Sequence, residues 1–238
     1  MSKVAAVIIG DELLSGQFAD ENGPWLIRRL RELGSSLIRL TLVPDDRAAI
    51  SDEVARTASL ADRVVTSGGI GPTHDDITVD AVGAAFGLAS EVRADLLERF
   101  EAYGVVIDAA TRRMATVPVG SEISFAGRLP ILTVRNVVVL PGVPSLFRLG
   151  FDAVASTFAG ESSWTMRLWT PIAEHRFAEA LTKAVARFPA VKIGSYPRFE
   201  EGRVLITLCG RSENAVREAS AVVARVVGAV SSEGPERA

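Results

Sequence analysis

The sequence predicts an α/β fold, a three-layer α/β/α domain on a mostly parallel sheet over residues 1–160, followed by a small α+β domain over residues 161–230. Three observations carry this expectation. Short apolar runs alternate with amphipathic stretches, the pattern of strands feeding helices on both faces of a parallel sheet. The alternation stops at the polar stretch 159-AGESS-163 and restarts behind it. The chain has 238 residues, 48% hydrophobic and 23% charged, which suits one medium domain with a true core plus a smaller one.

Each element has its own signal. 3-KVAAVIIG-10 reads as a buried strand, and 22-NGPWLIRRLRELG-34 as a helix with Asn22 as cap, Pro24 in the first turn and Gly34 closing it. Strand 37-LIRLTLVP-44, helix 45-DDRAAISDEVARTAS-59 and strand 62-DRVVTSGG-69 follow, and 77-ITVDAVGAAFG-87 has helical spacing. 93-RADLLERFEAYG-104 and 108-DAATRRMA-115 read as helices, the second ended by Pro118. Residues 121–142 return to the sheet as β structure, and 145-SLFRLGFDAVASTF-158 closes the domain as a helix.

Beyond the break come strand 165-TMRLWT-170, helix 172-IAEHRFAEALTKAVARF-188, strands 191-VKIGSYP-197 and 203-RVLITLCG-210, and a helix over 212–230. This is a β-α-β-β-α unit. Residues 231–238, SSEGPERA, read as a flexible tail.

Composition removes several function classes. The formal net charge of −3 leaves no electrostatic footprint for nucleic acid. No apolar run approaches the ~20 residues of a membrane span, and the opening apolar stretch is too short for a secretory leader. A soluble cytoplasmic protein, with neither nucleic acid nor membrane as partner, is expected. The lone Cys209 excludes an intramolecular disulfide and a cysteine-cluster metal site; on its alternating strand it reads as a small buried apolar residue.

Ligands of doubly wound sheets bind beyond the carboxyl ends of the strands. Three unusual sequences fall there: 10-GDELLSG-16, 66-TSGGIGPTHDD-76 and 140-LPGVP-144. The glycine-rich stretch lacks the Lys-Ser/Thr ending of a Walker loop, and His74 stands where a dinucleotide fingerprint needs its third glycine. The underlying physics survives. Gly68, Gly69 and Gly71 allow positive φ and close approach of backbone N–H groups to an anion, with Pro72 and Thr73 completing the turn.

A turn and a helix cap need about one glycine and one aspartate, so this stretch reads as a ligand site. Carboxylates repel a nearby phosphate unless a cation lies between them, and Mg²⁺ is held by one or two carboxylates together with phosphate oxygens. Asp75 or Asp76 then reaches the phosphate through a metal. Asp11, Glu12 and Asp45 are further candidate acids at neighbouring strand ends, although Asp45 reads more simply as a helix cap. One acid could instead accept from the N–H groups of a pterin or purine. Gly142 permits close backbone approach in its proline-framed turn. His74 beside the acids reads equally as solvated or functional, and His175 as a surface residue.

In their order and spacing, 10-GDELLSGQFADEN-22, 66-TSGGIGPTHDDIT-78 and 140-LPGVP-144 resemble the molybdopterin-binding-like domain family. The forms GDELLSGQ and GPTHDDIT look like its CinA-type and FAD-synthase branch, and residues 191–215 look like the small domain that trails it there. The resemblance implies a homo-oligomer whose small-molecule ligand is a nucleotide or a pterin. It also implies that Asp45 and Asp76 serve metal and nucleotide chemistry. The expected activity is hydrolysis of a nucleotide pyrophosphate, ADP-ribose or FAD-like, with a divalent Mg, Mn or Co ion held by Asp76, Asp45 and Asp75. Adenylyl transfer to a pterin and a non-catalytic binding module are the alternatives. Asp75 stands where the adenylyltransferases usually carry a basic residue, which points away from the transfer.

Overall fold

β1 (Lys3–Ile9) is buried from Val4 onward and feeds two different cores. Val4 and Ala6 join one apolar cluster, while Ala5, Val7 and Ile9 join the other, as the period of two requires for a strand covered on both faces. The computed structural model, which describes residues 2–237, continues with α1 (Asp11–Leu14), α2 (Asn22–Glu32), β2 (Ser36–Val43), α3 (Arg47–Leu60), β3 (Arg63–Ser67) and α4 (Thr78–Ala85). Then come β4 (Ser90–Val92), α5 (Ala94–Ala102), α6 (Ala109–Met114), β5 (Thr116–Pro118), β6 (Glu122–Ala126), β7 (Leu129–Val134), β8 (Val137–Leu140) and α7 (Pro144–Val154).

The strand order is β2-β1-β3-β8-β7-β6. β2, β1, β3 and β8 run parallel, and β7 and β6 extend the sheet antiparallel. α2 and α7 cover one face through Leu26, Leu30, Phe147 and Phe151. The other face is covered by α3, α4 and α5 through Ile50, Val54, Val82, Leu96 and Phe100. This is the three-layer, mostly parallel α/β fold expected from the sequence. On the α2–α7 side, Trp25 stands edge-on to Phe147 and Phe151 at centroid distances of 5.9 and 5.5 Å. Each such pair adds about 0.5–1.5 kcal/mol beyond its buried area.

The chain divides into two compact units, one up to Gly160 and one from Glu161 on. The second contains β9 (Trp164–Thr170), α8 (Ala178–Arg187), β10 (Val191–Arg198), β11 (Arg203–Gly210), α9 (Glu213–Val227) and β12 (Ser231–Arg237). Its sheet, ordered β10-β11-β9-β12, is antiparallel throughout, and Leu168, Ile206 and Leu208 pack against Val216, Ala219 and Val223 of α9.

Four local expectations are corrected. Residues 231–237 are not a flexible tail: they form β12, paired with the edge of β9 and fastened by Arg167 to Glu236 at 2.6 Å. Ala238 lies outside the described residues. The helix expected from 172 begins only at Ala178, because 174–176 make a single 3₁₀ turn and the buried Phe177 leaves helical geometry. Pro118 ends no helix; it closes β5, which pairs with the unanticipated β4. Asn22 does not cap α2. Asp20 does, accepting from the N–H groups of Asn22 at 2.9 Å and Gly23 at 3.1 Å.

Candidate active site

The carboxyl ends of β1, β3 and β8 open into a cleft of about 740 Å³, the place where open α/β sheets bind ligands. Its floor is apolar, with Val79, Phe100, Ile123, Leu132 and Val139, and its mouth is polar. Three chain segments build that mouth: residues 10–22, the glycine loop 68–76 and the turn after β8.

Glycine is required in the loop by crowding as well as by turning. Gly68 has φ +109° and Gly69 φ +63°. A Cβ at Gly68 would run into the Ile9 carbonyl, one at Gly69 into the Thr78 hydroxyl, and one at Gly71 into the Asp76 carboxylate at 2.7 Å. The N–H of Gly68 is taken by the Leu140 carbonyl at 3.1 Å, which ties the loop to the end of β8.

Of the residues singled out in the sequence, Gly68, Gly69, Gly71, Glu12, Asp45, Asp75, Asp76 and Gly142 line the cleft; Asp11, Pro72 and Thr73 do not. Asp11 acts on Asp45: its N–H donates to the Asp45 carboxylate at 2.9 Å, and the Asp45 N–H returns a bond to the Asp11 carboxylate at 3.3 Å. Asp45 is not the cap of α3. Asp46 is, accepting from the Ala49 N–H at 2.8 Å, which leaves the Asp45 carboxylate at the cleft wall.

Asp76 is not a helix cap either, since Ile77 occupies that position without a side-chain bond. Its carboxylate accepts from the Thr73 N–H at 2.7 Å and from the Thr73 hydroxyl, shaping the loop from within. Hydrogen bonding from Thr73 also holds the Asp75 carboxyl below the usual carboxylate range, helped by its own backbone N–H and by His74. Among the described residues no group of three or more His, Cys, Asp or Glu side chains gathers as a ready metal cage.

Asn22 is the contributor that sequence reasoning missed. It is 4% exposed at the cleft wall, and its amide donates to Ser67 Oγ at 2.9 Å and to the Gly142 carbonyl at 2.7 Å. The available signal was Asp20, which already supplies the cap that Asn22 was expected to provide.

Residues 5–160 match the family model described as "Probable molybdopterin binding domain". The chain belongs to this molybdopterin-binding domain family. Behind it, residues 163–231 match the family described as "FAD synthase, middle domain". A CinA-like protein of Anaeromyxobacter dehalogenans (strain 2CP-C) is 40% identical over 156 residues, covering 61% of this chain and 38% of its own length. A probable FAD synthase of Caenorhabditis briggsae is 34% identical over 227 residues, covering 82% of this chain and 43% of its own.

The chain thus spans less than half the length of these two relatives. The crystal structure of the protein CinA with unknown function from Thermoplasma acidophilum shares the fold of the molybdopterin-binding domain. Its TM-score is 0.61 at 27% identity, over 66% of this chain and 98% of that one. Among the described residues no helix is long and apolar enough to cross a membrane.

Proposed function

We propose that the cleft hydrolyses the pyrophosphate bond of a nucleotide, ADP-ribose or FAD-like, with a divalent Mg, Mn or Co ion. One observation carries the reading: the glycine loop shares a single cleft with the carboxylates of Glu12, Asp45, Asp75 and Asp76, in addition to Asp20, engaged at the start of α2, and Glu21, paired with Arg148. The N–H groups of Gly69 to Gly71 face the phosphates, since that of Gly68 is already spent on Leu140.

Among the described residues no three of these acids come together as a cation cage. Such a donor set suits an ion of the Mg²⁺ type, which keeps water and shares its coordination with substrate phosphate. Asp76 and Asp45, with Asp75, are the residues that would hold it. When bound, the ion offsets the phosphate charge and activates a water. Attack of a water on one phosphorus would break the bridging P–O bond and give AMP and the phosphate ester of the other half. Thr73 holds Asp76 in place, and the Asp11 N–H holds Asp45. The apolar floor takes a ring of the nucleotide out of water.

The test is incubation of the protein with ADP-ribose, with FAD, and with ATP plus a pterin, each with Mg²⁺, Mn²⁺ or Co²⁺, beside Asp76→Ala. Metal-dependent release of AMP, lost in the variant, supports hydrolysis. Adenylylated pterin formed from ATP replaces it with the transfer reaction. Binding of a nucleotide without turnover under any metal leaves a binding module.

A further inference from the structure

We infer that Asn22 is a positioning residue: a buried clasp that sets the spacing between the two backbone walls of the cleft. Its amide spends one N–H on Ser67 Oγ, at the last residue of β3, and the other on the carbonyl of Gly142, in the turn after β8. Ser67 passes the connection on, its hydroxyl donating to the Pro141 carbonyl at 3.4 Å. Gly142 and Gly68 lie back to back, so that a Cβ at Gly142 would stand 3.3 Å from the Gly68 Cα. One side chain from α2 therefore holds both strand-end turns where they touch, 45 and 120 residues away along the chain.

The amide orientation follows from its partners. A carbonyl oxygen accepts only, so the atom 2.7 Å from Gly142 O is the nitrogen. That choice leaves Asn22 Oδ1 buried with no partner. An unpaired buried acceptor costs free energy that a leucine of similar size at this place would not incur. Nor does α2 need the side chain, since Asp20 caps it. Fold stability alone does not call for asparagine here, whereas fixing the two walls at one separation does. The part of this inference that concerns substrate rests on the phosphate reading of the cleft; the part that concerns the turns does not.

The experiment compares wild type with Asn22→Leu and Ser67→Ala by hydrogen exchange at the Gly68 amide, by thermal midpoint, and by KM and kcat for the nucleotide that is turned over. The clasp predicts exchange at Gly68 about tenfold faster in Asn22→Leu, the equivalent of one lost buried hydrogen bond. It also predicts a KM raised about tenfold with kcat nearly unchanged, at a thermal midpoint equal to or above wild type, the split expected when binding is loosened and the chemistry is not. Unchanged exchange at Gly68 overturns the inference, and so does faster exchange with KM and kcat both at wild-type values. If wild type turns over neither ADP-ribose nor FAD, the proposed function fails by itself, and exchange at Gly68 alone decides the clasp. If Asn22→Leu does not fold, Ser67→Ala, which removes one of the two bonds, takes its place with a smaller shift in the same direction.

Discussion

Five ion-paired carboxylates of the small domain and the four around the glycine loop live differently. In the small domain Glu161, Glu179, Glu201, Glu213 and Glu236 each face a lysine or arginine within 3 Å. At the cleft of the molybdopterin-binding domain, Glu12, Asp45 and Asp76 have no cationic partner among the described residues, and Asp75 has only His74 at 3.8 Å. Exposed pairs of the first kind contribute little to stability. Among the described residues, then, no lysine or arginine offsets these four acids, whereas Glu21, which also lines the cleft, meets Arg148 at 3.2 Å. Two glycines of positive φ, one from the loop and one from the small domain, differ as well. Gly68 is pressed against Ile9, whereas Gly202, with a similar need for positive φ, has open space around it.

The largest effect that tests this contrast is on stability. Gly68→Ala combines φ +109° with a Cβ driven into the Ile9 carbonyl, and is expected to cost at least about 3 kcal/mol in a denaturant titration. A loss below ~1 kcal/mol would mean that the loop yields easily and the crowding does not fix its path. Next is Asp76→Asn, which keeps an acceptor for Thr73 but removes the charge. Metal-dependent turnover is expected to fall on the order of a hundredfold, with the thermal midpoint nearly unchanged. The matched change Glu201→Gln in the small domain should leave turnover at the wild-type rate. Equal losses in both would erase the distinction between the two sets of acids. Gly202→Ala follows, at about 1 kcal/mol, for the left-handed backbone alone.

How much of this was legible in the sequence depends on how local the signal is. The strands 3–10 and 62–69 announced themselves as apolar runs, and the glycine loop by three glycines before two acids, because each signal is complete within a few residues. The pair Asp45–Asp46 was not resolvable. Both can cap, and only the folded chain shows that Asp46 does while Asp45 lines the cleft. Asn22 failed for a similar reason, since its partners at 67 and 142 are distant in the chain.

β12 was missed because an edge strand with one neighbour needs no apolar alternation. Glu233 and Glu236 hold it through Trp169 and Arg167, and Pro235 falls in the register shift between them, where an edge strand tolerates proline.

The smallest expected effect lies in α9 and bounds the contrast from below. Arg217 Nη2 approaches the Glu213 carboxylate at 2.8 Å one turn away, with both side chains partly in solvent. Coulomb attraction across such a pair is weakened by water and offset by the side-chain entropy lost in holding it. Glu213→Gln is therefore expected to lower stability by no more than about 0.5 kcal/mol, and by less as salt is raised. Thermal melts at low salt and at high salt measure both numbers. A salt-insensitive loss above about 1 kcal/mol would show that paired acids in this protein are structural anchors. The lack of a lysine or arginine at Glu12, Asp45 and Asp76 among the described residues would then mark weakness in the fold there, instead of charge held ready for a ligand.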